Sequence, residues 1–597
     1  MSLVLSCLFT LVVATFGATS NPTIWPVPQM FTNGTTTLTV CSSNFNFSTN
    51  SQSAILKNAI TRFNNYLMKP APVLPTINPG KAYAASLCAG SITVSSSSES
   101  LSFETDENYT LSVDSTSIKI TANTIYGAMY GLTTLTQLIR YASDSNVIMN
   151  APWSITDYPH YKHRGVMLDP ARNFLSVDMI KRVINGMALN KLNVLHLHLI
   201  DAQSFPFYSK SHPELSAAGA YSKEKIYQPS NLTDIVSYAK NMGVRVIPEF
   251  DTPGHTFAIK FGDPQIMDCV EVSDSVPAMC PEPPCGYLNV SNPNAYNTIM
   301  DIYADAWDIF DDTYFHIGAD EVKDACWGKN TNQLYTQWLS QMAQDVNLKG
   351  KRTPILWSGD VDITAQIGQG SFDIIMQIWD NAADKLTALK NGFKVIDSTY
   401  TSYYLDCGFG NWLTGGNSWC DPYKSWMMIY NHSLTDGIPQ QYFKDIIGGE
   451  VCLWGESVDD YNLQPRLWPR ASAAAERWWS DLPLGTGSKL DDKFYRIAMQ
   501  RDWMVYQGIV ASPSQPEFCT LYPAYCNYYR DDILNNPPPA DWKMKLKDYN
   551  LHDFIDAFEE HGWDMIELWN DISFEHASQM GMKQGHWAKF KHLLKEI

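Results

Sequence analysis

The sequence predicts an α/β protein centred on a (β/α)8 barrel of the TIM type, preceded by a small α+β domain and followed by a small all-α segment. Three observations carry this. Between residues 164 and 456, eight apolar segments read as strands, most of them followed by a helix. Polar and aromatic residues gather where those strands end, the face on which such barrels place their chemistry. Across 597 residues, 45% are apolar and 18% charged, which describes a chain with a substantial core and excludes disorder for its bulk. A doubly wound sheet is the alternative architecture.

The elements follow in order. MSLVLSCLFTLVVATFGATS (1–20) carries an apolar run too short to span a membrane and then small residues, so it reads as a secretory signal peptide. Residues 21–158 form the α+β domain. Its first helix, Ser53–Leu67, has an apolar face through Leu56, Ile60, Phe63 and Leu67. Strand alternation in YTLSVDSTSIKI and a second helix, Ile125–Arg140, follow. The barrel domain is expected over 159–526. Its strands are RGVMLD (164–169), NVLHLHLID (193–201), VRVIPEFD (244–251), YFHIGADE (314–321), TPILWSGD (353–360), IIMQIWD (374–380), KVIDSTY (394–400) and IIGGEVCLWGE (446–456). Ser176 caps a helix whose Val177, Ile180, Val183, Ile184 and Met187 share one face. Another runs near Asn231–Met242 and is closed by Gly243. A Pro-rich linker (527–540) leads to a helical tail (541–597).

Charge and composition narrow the ligand. With 43 Lys+Arg against 62 Asp+Glu, net charge -19, and no basic block, the chain is unsuited to nucleic acid. Its 19 Trp and 31 Tyr exceed what a core needs, and aromatic faces in a cleft suit sugar rings. No later stretch reaches membrane-spanning length. The sequons at Asn33, Asn46, Asn108, Asn231, Asn289 and Asn431 fit the secretory route. Without Cys7, eleven cysteines remain, and an oxidising compartment would bridge ten. Close spacing pairs Cys407 with Cys420 and Cys519 with Cys526, while Cys41 and Cys88 flank one helix. Cys269, Cys280, Cys285 and Cys326 crowd one region as two bridges whose pairing the sequence leaves open. Cys452, within an apolar strand, is the expected free thiol.

The candidate site is the set of strand ends. Arg172 follows strand one, Asp201 ends strand two and His255 follows strand three. Asp320 and Glu321 end strand four, Trp357 and Trp379 lie near the ends of strands five and six, Tyr404 and Asp406 follow strand seven, and Trp454 and Glu456 end strand eight. An acidic pair alone often only caps a helix, and a lone Trp is usually core; the set at one mouth points to chemistry. Adjacent carboxylates raise one another's pKa, which suits a general acid for glycoside cleavage. Three tryptophans suggest a hydrophobic box, and Arg172, Asp406 and Glu456 suit sugar hydroxyls. His196, His198, His255 and His316 raise the rival of a metal hydrolase. Three of them sit inside strands, short of their ends, so no metal and no other cofactor is expected.

These motifs resemble the family 20 glycoside hydrolases, the β-N-acetylhexosaminidases. The resemblance runs over about residues 22–526, from IWPVPQ through ANTIYGAMYGLTTLTQL, RGVMLDPARNF, NVLHLHLIDAQSFPF, IPEFDTPGH, HIGADEV and YYLDCG to GGEVCLWGE and PRLWPRASAAAER. It implies Glu321 as general acid/base, with Asp320 orienting the substrate acetamido N–H and Tyr404 its oxygen. Trp357, Trp379 and Trp454 would enclose the N-acetyl group and ring; Arg172, Asp406 and Glu456 would hold hydroxyls; Asp201 and His255 would support the acidic pair. The YLDCG…WCDP form is similar to fungal and insect members and supports a Cys407–Cys420 bridge. Leu197, Ala202, Ala319 and Gly359 depart from common family residues, and none removes a catalytic group. The expected activity is exo-acting and retaining, on terminal N-acetylglucosamine and N-acetylgalactosamine, in a lysosome, an acidic vacuole or outside the cell; the family habit allows a homodimer. A barrel that grips N-acetyl sugars without cleaving them, and an assembly scaffold acting through the tail, are the competing classes. The tail resembles a sterile alpha motif domain through Leu551, Phe554, Phe558, Leu568, MGM (580–582), GHW (585–587) and a last helix with Trp587, Phe590, Leu594 and Ile597. Such a module would bind a protein partner; a helical appendage packed on the barrel is the alternative.

Overall fold

The computed structural model describes residues 24–594, apart from 43–44, 73–81, 143, 272–279, 360–371, 414, 482–489, 523–525, 527–545, 547–550, 552–553, 555–556 and 558–571. The expected signal peptide and linker lie outside the described residues. Contacts divide the chain into two units, one holding the first domain and the barrel, the other the C-terminal segment.

In the first domain, Ser53 accepts from Leu56 N to start the helix Ala54–Leu67, and Thr124 accepts from Gly127 N to start Ile125–Leu138. These helices pack together against an eight-stranded mixed sheet. The second helix stops two residues earlier than expected, because Ile139–Ala142 turns extended and pairs with Ser145–Asp157.

Eight parallel strands close the barrel: His163–Leu168, Val194–His198, Arg245–Glu249, Tyr314–His316, Thr353–Trp357, Ile375–Ile378, Lys394–Asp397 and Ile446–Leu453. All eight lie where the apolar segments placed them. Alternate residues share a face of a strand, and the barrel interior follows that period. Val194, Ile247, Tyr314, Ile355, Ile375, Ile396 and Ile447 pack as one apolar cluster. Two residues on from Val194 and Ile247 stand His196 and Glu249, so the interior turns polar toward the C-terminal ends. Gly165 makes room for this: a Cβ there would lie 2.3 Å from a carboxylate oxygen of Glu450.

Buried ion pairs join the first domain to the barrel. Asp157 accepts from Lys191 Nζ (2.8 Å), Tyr109 Oη (2.6 Å) and Trp479 Nε1 (2.8 Å), with Lys191 and Asp157 both 0% exposed. Arg164 grips Glu107 with both terminal nitrogens, at 3.0 and 2.8 Å. No helix among the described residues is long and apolar enough to cross a membrane.

Four bridges are seen directly: Cys41–Cys88, Cys269–Cys326, Cys280–Cys285 and Cys407–Cys420. Cys519 and Cys526 are also half-cystines, and Cys452 is free and buried. The C-terminal unit has its own core, with Leu546, Leu551, Phe554, Ile572, Ala577, Met580, Met582, Phe590 and Leu593. Its helices Phe574–Gln579 and Gln584–Leu593 are joined through Gly581, whose φ of 86° needs glycine. The expected five-helix count, with Phe558, Leu568 and Ile597, lies outside the described residues.

Two outcomes follow from this packing. Lys191→Met leaves Asp157 buried without its cation and should cost about 3–5 kcal/mol in urea unfolding, against less than about 1 kcal/mol were the pair incidental. Thiol titration of the mature protein without reductant should find no reactive thiol when native and one when denatured; two or more would break the pairing scheme.

Candidate active site

The acidic pair does not end its strand. The strand stops at His316, and a turn carries the chain onward through Gly318 (φ 68°), Ala319 (φ 82°) and Glu321 (φ 55°). At Gly318 a Cβ would lie 1.9 Å from Asp251 Oδ1, so only glycine fits. Ala319 N donates to that oxygen (2.9 Å), and Tyr287 Oη donates to the carbonyl of Glu321 (3.0 Å). Ala319 thus sits in left-handed backbone that costs an alanine about 1–2 kcal/mol. Such strain is characteristic of sites whose geometry is imposed from around them.

The turn opens on a cavity of about 410 Å³. Nine of the anticipated residues line it: Arg172, His255, Asp320, Glu321, Trp379, Tyr404, Asp406, Trp454 and Glu456. Asp201 and Trp357 stand behind the wall; Trp357 is 1% exposed and donates from Nε1 to Glu249 Oε1 (2.6 Å). Trp379 is pinned by its Nε1 to the carbonyl of Ser358 (2.6 Å). A backbone bridge to Cys452 on the last strand holds Tyr404. The ring of Trp454 lies 5.9 Å from that of Tyr404, with the Arg172 guanidinium 5.0 Å away.

Further wall residues escaped the sequence reading. Asp251 lies beneath the acidic pair, and Glu282 pairs with Arg172 (2.7 Å) from the short loop closed by Cys280–Cys285. Phe409, Trp412, Leu413 and Trp419 come from the loop closed by Cys407–Cys420. The Trp content inside that cysteine loop was the available signal for the second group.

Charge is organised around Asp201. Its Oδ2 meets Arg172 (2.6 Å) and His198 Nε2 (2.7 Å), and its Oδ1 meets His255 Nδ1 (3.2 Å). His255 Nε2 in turn reaches Glu321 Oε2 (3.2 Å). Burial opposes ionisation of Asp201, but Arg172 and His255 outweigh it and hold the carboxyl well below the usual range. The reverse holds for Asp320: enclosure, followed by the neighbouring Asp251, pushes it well up. Although Asp320 is partly exposed to the cavity, its Oδ1 is enclosed and has no hydrogen-bond partner. Burial also keeps the Tyr404 hydroxyl protonated, far above its ordinary value.

The HxH pair is surrounded by carboxylates, and His196–Glu249–His316 and His198–Asp201–Asp251 each bring three ligand-type groups within 4.8 Å of one another. His196 meets Glu450 Oε1 (2.8 Å) and Glu249 Oε2 (2.9 Å), one at each ring nitrogen. His198 is held likewise, by Glu249 (2.7 Å) and Asp201 (2.7 Å).

Residues 161–482 match the glycosyl hydrolase family 20 catalytic domain, and residues 24–138 match the beta-acetyl hexosaminidase like domain. The chain belongs to glycosyl hydrolase family 20. It is a glycoside hydrolase of the β-hexosaminidase group. Among its relatives, a chitooligosaccharidolytic beta-N-acetylglucosaminidase of Ostrinia furnacalis is 36% identical, over 72% of this chain and 76% of that one. The human beta-hexosaminidase subunit beta is 31% identical, over 86% and 91%. The X-ray structure of Flavobacterium johnsoniae chitobiase superposes with a TM-score of 0.67 at 25% identity, over 82% of this chain and 73% of that one.

The pKa pattern of this family 20 site gives stability a sign. Burial pushes Asp251 and Asp406 from 3.8 up to about 6. Their contribution is complete below 3.8 and lost as pH rises through about 6. Burial pulls His196 down, but Glu450 and Glu249 outweigh it and lift the ring to about 9, so its contribution is lost between 6.5 and 9. His316, lowered by burial to about 3, opposes them as pH falls below 6.5. The urea midpoint should therefore be higher at about pH 5 than at about pH 8; the opposite order would contradict these assignments.

Proposed function

We propose that the chain is a retaining exo-β-N-acetylhexosaminidase that releases terminal non-reducing N-acetylglucosamine and N-acetylgalactosamine by substrate-assisted catalysis. The observation that carries this is the asymmetry of the acidic pair. Glu321 is coupled through His255 to Asp201, whereas Asp320 keeps an unpaired, enclosed oxygen beside Tyr404 and Trp454. One carboxyl is built to exchange a proton and the other to receive an N–H.

A protein nucleophile in a retaining enzyme stands about 5–5.5 Å from the acid, on the opposite side of the bond. Asp320 and Glu321 are neighbours on one turn, so the nucleophile is assigned to the substrate's own acetamido oxygen. Glu321 protonates the glycosidic oxygen as that bond breaks, while the acetamido oxygen closes on the anomeric carbon to give an oxazolinium ion. Asp320, ionised once the acetamido N–H and the developing positive charge offset its enclosure, accepts from that N–H and stabilises the charge; Tyr404 donates to the acetamido oxygen and orients it. Glu321, now a carboxylate, takes a proton from water as the water opens the ring from the face that the leaving group left. Two displacements return the original configuration. The tether gives the nucleophile a high effective concentration.

Trp379 and Trp454 serve as walls for the ring and N-acetyl group, with Trp357 supporting them from behind. Arg172, Asp406 and Glu456 hold hydroxyls of the terminal sugar. The remaining assignments are also ours: signal peptide 1–20, passage through the secretory route to a lysosome, acidic vacuole or the outside, and glycans on the six sequons. Asn46 and Asn108 are exposed, which suits them to carry glycans. Residues 21–158 and 159–526 act as the first domain and barrel, 527–540 as linker, and 541–597 as a SAM-like module for a protein partner.

A chromogenic N-acetylglucosaminide should be turned over at acidic pH, and the matching plain glucoside should not. Asp320→Asn should lower kcat by about 10²-fold or more, the scale of a lost transition-state contact. Efficient cleavage of the plain glucoside, or a glycosyl ester trapped on any carboxylate of the protein, would defeat this assignment.

A further inference from the structure

The Asp201–His255–Glu321 contacts are the exposed end of a longer run. From Asp201, His198 (2.7 Å) leads to Glu249 (2.7 Å), then to His196 (2.9 Å), then to Glu450 (2.8 Å) and finally to His163 (2.9 Å). Imidazole and carboxylate alternate without a break from the barrel interior to the cavity. The groups come from the first, second, third and eighth strands and the loops above them.

A neutral imidazole has one N–H and can donate to only one carboxylate. His196, His198 and His255 each have a carboxylate oxygen within 3.2 Å of both ring nitrogens, an arrangement that favours the imidazolium; Arg172 Nη1 also stands 3.2 Å from His198 Nε2, and His196 Nε2 faces Glu249 without a hydrogen bond. Three cations then stand among Asp201, Glu249 and Glu450, with Arg172 and Glu321 at the exposed end of the run. Its titrations agree: burial pulls His198 and His255 down, but the carboxylates outweigh it and hold both well above the ordinary value. Burial would raise Glu249 and Glu450, but the histidines hold both down.

The surroundings complete the account. Asp201 also faces Arg172; His198 faces Asp169; Glu249 faces His316 (3.4 Å) and Trp357. Glu450 faces Gln377 (2.7 Å), His163 faces Arg245, and His255 faces Asp251. His316 stays neutral and stacks on His196 with ring centroids 4.6 Å apart.

We propose that this run is one rigid strut, and that His198, Glu249 and His196, none of which lines the cavity, are positioning residues that hold His255, and through it Glu321, in working geometry. The proposal rests on Glu321 as the acid/base. No proton needs to travel along the run; its task is to fix which nitrogen of His255 faces Glu321 and at what angle, as an orienting carboxylate does for a catalytic histidine.

The test uses the full chain. His198→Gln removes a cation and one of two N–H donors. It should lower kcat about tenfold with KM little changed, as loss of a group that orients a catalytic side chain does. With that cation gone, the descending limb of kcat/KM should move to higher pH by about half a unit. His196→Gln, two links further from Asp201, should act in the same direction and less. Folded variants that keep wild-type kcat and the wild-type profile would overturn the strut. Because either variant could fail to fold, ¹⁵N-histidine spectra of the wild-type protein give a second readout. At least two rings should keep both nitrogens protonated at pH 8; one or none would overturn the proposal. Glu321→Gln separates the two claims. If that variant still cleaves a substrate with a poor leaving group, the acid/base assignment is what fails. If it is inactive while His198→Gln and His196→Gln behave as wild type, the strut alone fails.

Discussion

A buried carboxylate must be paired or it will not stay charged, and the mouth of this barrel is arranged around that constraint at Asp201. The side chain is fully enclosed, yet Arg172, His198 and His255 surround it, each from a different part of the barrel. Because Asp201 stays ionised, Arg172 is fixed on one side of the cavity and His255 on the other. His255 places Glu321; Arg172 places Glu282 and supports the ring of Trp454. Removing the Asp201 charge would release both sides together.

The same constraint explains a polar barrel interior. Most barrels of this kind fill their centre with branched apolar layers, and here the apolar cluster of Val194, Ile247 and Ile355 does so at one end only. Above it the interior carries His196, His198, Glu249, Glu450 and Gln377, each buried and each in polar contact. That layer is costly to desolvate, and its return is orientation: it leaves the groups above it few alternative positions.

Much of this was legible in the sequence, because strand periodicity and strand-end chemistry are local signals. The eight strands, the caps at Ser53 and Ser176, the buried free Cys452 and nine of the cavity's polar and aromatic residues lie where the residues placed them. What the sequence did not show depends on contacts between distant segments. The turn that carries Asp320 and Glu321 past the end of their strand is imposed by Asp251, 69 positions before Asp320. Trp357 is directed behind the wall by Glu249, and no pattern in TPILWSGD reveals that. The choice of Cys269–Cys326 over the alternatives, and the meeting of Glu282 with Arg172, likewise need the folded chain.

The central claim is that the substrate supplies the nucleophile while Asp320 and Tyr404 guide it. The most direct measurement is kcat/KM across a series of aryl N-acyl glucosaminides whose acyl group carries no, one, two or three fluorines. Fluorine draws electrons from the acyl oxygen while changing the shape of the group little. If that oxygen attacks the anomeric carbon, kcat/KM must fall steeply and monotonically with each fluorine. A flat series would show that the acetamido group is only bound and not used, and would contradict the account.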